Sequence, residues 1–307
     1  MDWLSALLLS CAVAEALFLR WKRPQSVDLL SSGASFFIHF GRIWLVPLIL
    51  VFFRTYAFGA FVFANLVAVA RPYRVATVPM DAWWAWPLLF VATDFLYYWE
   101  HRFKHRVRWF WTTHAVHHSI RVMNLTEAYR LGWTGALGTG VAFYAPLVIA
   151  GFRPRDVFWM LMIQQIYQLF THIDWIPKLG FIEKILVTPS HHRVHHAMND
   201  IYIDRNFGGV FSFFDRMFGT FVEERDDEKC RYGLITADGS PLETRNPFRI
   251  LFHAWIEMFR GARSVLKAKG MFAAIAYMFR PPHNEPESNA ETLDQYERKS
   301  ISRRRSA

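Results

Sequence analysis

What most constrains the fold of this 307-residue chain is a series of long apolar runs almost free of charge: Trp3–Phe18, Ala34–Phe53, Ala57–Ala70, Ala82–Trp99, Gly132–Ala150 and Val157–Phe170. A bilayer-crossing helix needs ~20 mostly apolar residues, and several of the runs come close to that length. Helices of soluble proteins normally keep a polar face, which these runs lack. The chain is therefore expected to be an all-α integral membrane protein, with residues 1–93 forming N-terminal transmembrane helices. Trp3–Phe18 is as apolar as a signal peptide, but Arg20, Lys22 and Arg23 follow it instead of preceding it. It is read as a retained first helix.

A net charge of +9 raises the question of nucleic acid. The distribution answers it. Basic residues gather beside the apolar runs, at Arg20–Arg23, Arg71–Arg74 and Arg102–Arg108, and again in the tail at Arg303–Arg305. This is the pattern of residues that flank membrane segments and attract anionic headgroups, and no nucleic-acid partner is expected. The cysteines, Cys11 and Cys230, are too few for a thiolate metal site.

Residues 132–172 read as a membrane hairpin of two helices with Gly151–Asp156 at the turn. Leaving a membrane face and returning to it puts the polar segments on either side of the hairpin on one face. The flanking Arg102, Lys104, Arg106, Arg108 and Arg193 make that face cytoplasmic. The basic clusters cannot all be cytoplasmic if every run crosses, so Ala57–Ala70 is expected to be re-entrant or interfacial. Residues 225–280 form a C-terminal extension with an amphipathic helix, which either lies at the membrane interface or packs on the polar domain. Residues 281–307 read as a disordered basic tail.

Ten of the 13 histidines lie between His101 and His196. His101 and His105 are four apart. His114 stands three and four residues before His117 and His118, and His192 stands in the same relation to His195 and His196. Residues at i, i+3 and i+4 share one helix face, so each motif directs its imidazoles one way. His172 ends the returning hairpin, with Gln168 one turn before it. Clustered protonated imidazoles repel, and buried neutral ones need partners. A metal resolves both costs. Eight or nine ligands exceed one ion and suit two with open positions. The membrane setting and the lack of His-Glu-x-x-His favour iron over zinc. Asp94, Gln168, Asp174, Asp204 and Asn206 are candidates to orient the ligands, each with a cap or surface role as its alternative. His191 lies one position outside the third motif. His39 reads as a lone helical histidine bonded to a neighbour.

The segments "DFLYYWEHRFKH", "WTTHAVHHS" and "LVTPSHHRVHH", followed by "DRNFGGVFSFFDRMFGT", resemble the fatty acid hydroxylase/sterol desaturase superfamily over Asp94–Thr220. The resemblance implies a catalytic domain over residues 94–224, with a His-ligated di-iron centre on the cytosolic face, topping transmembrane hairpins. By that resemblance the motif ligands are His101, His105, His114, His117, His118, His192, His195 and His196, with His172 as the additional loop histidine. It also implies dioxygen as co-substrate, a lipid substrate, and hydroxylation or desaturation of an alkyl or acyl chain. "NLTEAYR", "YQLFTHIDWIPKLG" and "TPSHHRVHHAMNDIYID" are most similar to the alkylglycerol monooxygenase-like branch, whose animal members use a reduced pterin. An Arg-x-His-Pro element found after the second motif in many sterol-oxidising relatives is absent, which points away from a sterol.

An unactivated C–H bond needs an oxidant that side chains alone do not supply. The sequence has no Gly-x-Gly-x-x-Gly fingerprint and no Cys-x-x-Cys-His haem attachment, so electrons are expected from outside. The donor is a ferredoxin- or cytochrome-type partner protein or a reduced pterin. Three alternatives remain open: a sterol- or hopanoid-type desaturase or hydroxylase, a haem electron carrier, and a transition-metal transporter. Adjacent pairs such as His117-His118 fit haem ligation poorly. A transporter would place its ligands inside the spanning helices, where chiefly His39 and Arg42 are found.

Overall fold

A computed structural model describes residues 3–45, 70–135, 140–236 and 239–282. Most of Ala57–Ala70, the end of Ala34–Phe53 and the tail lie outside the described residues. Among those described, every regular element is helical, and β pairing is limited to isolated bridges such as Leu186 with Phe211. The all-α expectation is met. No described helix is long and apolar enough to cross a membrane.

Local chemistry sets where the described helices begin and where they turn polar. Helix α1 (Trp3–Lys22) carries Glu15, Arg20 and Lys22, and α2 (Leu29–Phe40) begins on Asp28, whose carboxylate caps the amides of Leu30 and Ser31. The apolar half of α3 (Ala85–Arg106) gives way to charge from Glu100 onward. Val107 is extended; it ends α3 and starts α4 (Arg108–His118). A short α5 (Leu125–Ala128) follows, capped by Asn124.

Helices α6 (Gly140–Ala150) and α7 (Pro154–Phe170) pack as consecutive helices within 132–172, with the turn confined to Gly151–Arg153, since Pro154–Asp156, read as part of the turn, begin α7. That turn requires Gly151: φ is +117°, and a Cβ there would lie 2.4 Å from the Ala76 carbonyl oxygen. Pro154 starts α7 where a missing N–H is harmless. The hairpin packs on α3 through Leu89, Tyr144, Leu147, Val157 and Met160.

Helix α8 (Pro189–His196) is buried along its whole length. After it come α9 (Phe213–Met217), α10 (Pro247–Lys269) and α11 (Met271–Phe279). Helix α10 lies across α2 and α4 through Ile250, Leu251, Ile38 and Val116. The histidine motifs therefore sit on three helices that meet inside the protein: the end of α3, the end of α4, and α8.

Candidate metal centre

The structure sorts nine histidines into two adjacent sets. His101, His105, His114, His118 and His195 form one, and His117, His172, His192 and His196 the other, with the nitrogens of each set within 4.8 Å of one another. The sets touch: the His118 and His196 rings stack at 4.4 Å. Helical spacing explains the division. Within the second and third motifs the i and i+4 members, His114 with His118 and His192 with His196, stay together. The remaining member of each, His117 or His195, turns to the opposite set. The two motifs thus exchange one histidine each.

The nitrogens fit metal ions. Nε2 atoms approach at 3.0 Å for His101 and His114, 3.2 Å for His117 and His172, and 3.1 Å for both His172 with His192 and His192 with His196. Imidazoles bound to one ion at ~2.1 Å have nitrogens about 3.0–3.4 Å apart. The Nε2 atoms of His105, His118 and His195 are buried with no hydrogen-bond partner. Such lone pairs are costly unless something accepts them, and an ion would.

Main-chain carbonyls fix the outward nitrogens. Nδ1 of His101 donates to Phe207 O at 2.9 Å, His195 Nδ1 to Arg205 O at 2.9 Å, and His172 Nδ1 to Gln168 O at 3.0 Å. With the hydrogen outward, each Nε2 presents a lone pair inward. Burial, and then repulsion from neighbouring imidazoles, hold His101, His114, His118, His192 and His196 well below the ordinary imidazole value. They are neutral, as metal ligation needs. In the metal-free chain the unfolded state therefore binds more protons below pH ~6.5, and unfolding free energy should fall as pH drops beneath that value. Denaturant midpoints on either side of about pH 6.5 check this; equal midpoints would contradict it.

Of the five candidate orienting residues, two reach an imidazole. Asp204 lies 3.4 Å from His105 Nδ1 and 3.3 Å from Arg106, and Gln168 acts through its backbone carbonyl. Asp94 instead accepts the amides of Val210 and Phe211, both at 2.9 Å. Asn206 bonds the main chain of His191 and Val222, and Asp174 accepts from the Tyr232 hydroxyl. His191 is buried against Phe221, outside both sets, and His39 packs edge-on against Tyr129.

Asp94 nevertheless serves the centre indirectly. Asp215, which sequence reasoning did not single out, accepts the amides of Phe207 and Gly208 at 2.7 and 2.8 Å and the Thr220 hydroxyl at 2.7 Å. The two buried carboxylates cinch the loop whose carbonyls hold His101 and His195. Gly209 allows the approach, since a Cβ there would lie 2.7 Å from Asp94 Oδ1. Asp204 and Asn206 are left-handed at φ 58° and 53°, a conformation Asp and Asn tolerate. The "DRNFGG" stretch is thus a device for aiming carbonyls. Substituting Asp204 with alanine should weaken metal binding about 10–100-fold without unfolding the chain, as read by chelator competition.

A cavity of about 500 Å³ opens beside the first set. His105, His118 and His195 line it together with His196 of the second set, as do Trp111, Ala254 and Met258.

The two sets offer buried, inward-facing imidazole nitrogens at spacings that fit metal ions. Residues 86–220 match the family model described as fatty acid hydroxylase. Among individual relatives, human alkylglycerol monooxygenase is 35% identical over 233 residues, 76% of this chain and 48% of that one. Ornithine lipid hydroxylase of Rhizobium tropici is 28% identical over 178 residues, 53% of this chain and 54% of its own. A Delta(7)-sterol 5(6)-desaturase of Gibberella zeae is 22% identical over 174 residues, 52% of this chain and 53% of its own. The chain spans about half the length of these curated relatives. No solved structure matches.

Proposed function

We propose that this chain is a membrane-bound, dioxygen-dependent lipid monooxygenase with a His-ligated di-iron centre, acting on an alkylglycerol ether lipid. The observation that supports this most is the division of nine histidines into two adjacent sets. One iron would be held by His101, His105, His114, His118 and His195, the other by His117, His172, His192 and His196. Bound there, the irons would supply the dioxygen reduction that an unactivated C–H bond requires. The reaction takes the lipid, O2, two electrons and two protons to a hydroxylated lipid and water. The electrons come from an external donor, a ferredoxin- or cytochrome-type partner or a reduced pterin.

The protein's own part is positional. Carbonyls at Arg205, Phe207 and Gln168 keep lone pairs aimed inward, and the cavity gives the first set an open side for the reacting carbon. The apolar runs and their basic flanks support an integral membrane location with the centre on the cytoplasmic face. The sterol alternative has less support: the sterol desaturase is the more distant relative at 22% identity, and the Arg-x-His-Pro element is absent.

The test is to purify the chain, measure metal per chain, and supply alkylglycerols or sterols with a reductant under oxygen. About two irons and an oxygenated alkylglycerol are expected. One zinc per chain, or haem absorbance, would overturn the reading. Filling the cavity offers a second check. Ala254→Trp should cut turnover at least tenfold while leaving the metal content unchanged, about 1.4 kcal/mol or more in the barrier.

A further inference from the structure

Helix α10 is apolar on two sides. Ile250, Leu251, Ala254, Met258 and Ala262 are buried against the protein. On the outer side Phe248, Phe252, Ile256 and Phe259 follow at steps of four, four and three, and Leu266 continues the stripe seven residues on, past Arg263 on the same face; each apolar member is at least 36% exposed. Helix α11 extends the apolar surface with Met271, Ile275, Phe279 and Phe272, the last 90% exposed. The stripe also continues onto α2, where exposed Phe37 meets Phe248 edge-on at 5.6 Å. A connected apolar surface of this kind requires a cover.

The charges say what kind. Residues 247–280 hold Arg249, Arg260, Arg263, Lys267, Lys269 and Arg280 against a single acid, Glu257, which is half-buried at the cavity wall. A second copy of the same surface would bring cations against cations. A bilayer with anionic headgroups offers apolar depth for the stripe and phosphates for the cations.

We propose that the α10–α11 hairpin is a surface anchor lying in the headgroup plane of an anionic bilayer, its aromatic stripe inserted and its cations on lipid phosphates. The opposite face of α10 lines the cavity through His253, Ala254 and Met258. One helix thus seats the open side of the centre at the lipid–water boundary. This holds whatever metal the centre carries.

The test uses the full chain, with Cys11→Ser and Cys230→Ser, reconstituted in phosphatidylcholine/phosphatidylglycerol vesicles. Spin labels are placed at Phe252→Cys, Phe259→Cys and Phe272→Cys, with Ser264→Cys as an off-stripe reference. The stripe labels should be severalfold more accessible to oxygen than to a water-soluble nickel chelate, and the reference label the reverse. Pure phosphatidylcholine vesicles, or the combined Arg260→Gln, Arg263→Gln and Lys267→Gln variant, should reduce that contrast severalfold. Stripe labels as open to nickel as the reference, or shielded from both reagents as under a protein partner, would overturn the proposal. Metal content read on the same samples tests the proposed function separately.

Discussion

His118→Ala and His192→Ala are each expected to abolish turnover, and each to remove about one metal ion per chain. The two histidines belong to different sets, His118 with His195 and His192 with His172. Deleting one imidazole leaves its set short of a ligand while the other set keeps its own. Metal-ion catalysis contributes several kcal/mol to barrier lowering, so the loss in rate should be on the order of 10³-fold or more. Metal analysis beside single-turnover assays reads both effects. Unchanged metal content in either variant would remove that histidine from the centre. Unfolding is a separate outcome, read by circular dichroism, and is not expected: each variant deletes a ring whose inward nitrogen has an imidazole or no partner as neighbour.

The second large effect is structural. Arg130 is 1% exposed and forms an ion pair with Glu127, itself fully buried. Its guanidinium also donates to Ser35 Oγ at 2.9 Å, Ser31 Oγ at 2.6 Å and the Ser119 carbonyl at 3.1 Å. Ser119 directly follows His118, so the network ties α2 to the end of the second histidine motif. Burial pushes the Glu127 carboxyl up, and the Arg130 charge opposes that shift. Arg130→Met strands a buried carboxylate, and breaking such a pair from one side costs about 3–5 kcal/mol. Denaturant unfolding in detergent should show that loss. The double variant Glu127→Leu with Arg130→Met should recover most of it, because no charge is then left unpaired. Equal stability of Arg130→Met and the parent would show that the pair carries no such weight.

This network explains a segment that the sequence marked only by resemblance. "NLTEAYR" pointed to one branch of the superfamily, with no physical role visible in its residues. In the folded chain Asn124 caps α5, Leu125 N donates to Glu15 at 2.7 Å, and Thr126 meets Ser32 at 2.8 Å. The last two contacts reach to α1 and α2, about a hundred residues away along the chain. Spacing along one segment carries no trace of them.

The histidines divide in the same way. Which residues to suspect was legible, because i, i+3 and i+4 offsets put imidazoles on one face wherever a helix forms. A turn between α6 and α7 was legible too, since apolar runs broken at Gly151–Asp156 leave little choice of turn; its far limit was not, because Pro154–Asp156 begin α7. How the nine histidines partition was not legible: each motif faces one way, but its odd member joins a different neighbour only once α3, α4 and α8 are set together. The orienting groups were least visible of all. They are largely main-chain carbonyls, which every residue carries, and Asp94 and Asp215 act by shaping a loop and touch no imidazole. Side-chain chemistry and helical period could be read along the chain, whereas the pairing of a lone pair with a particular carbonyl had to await tertiary contact.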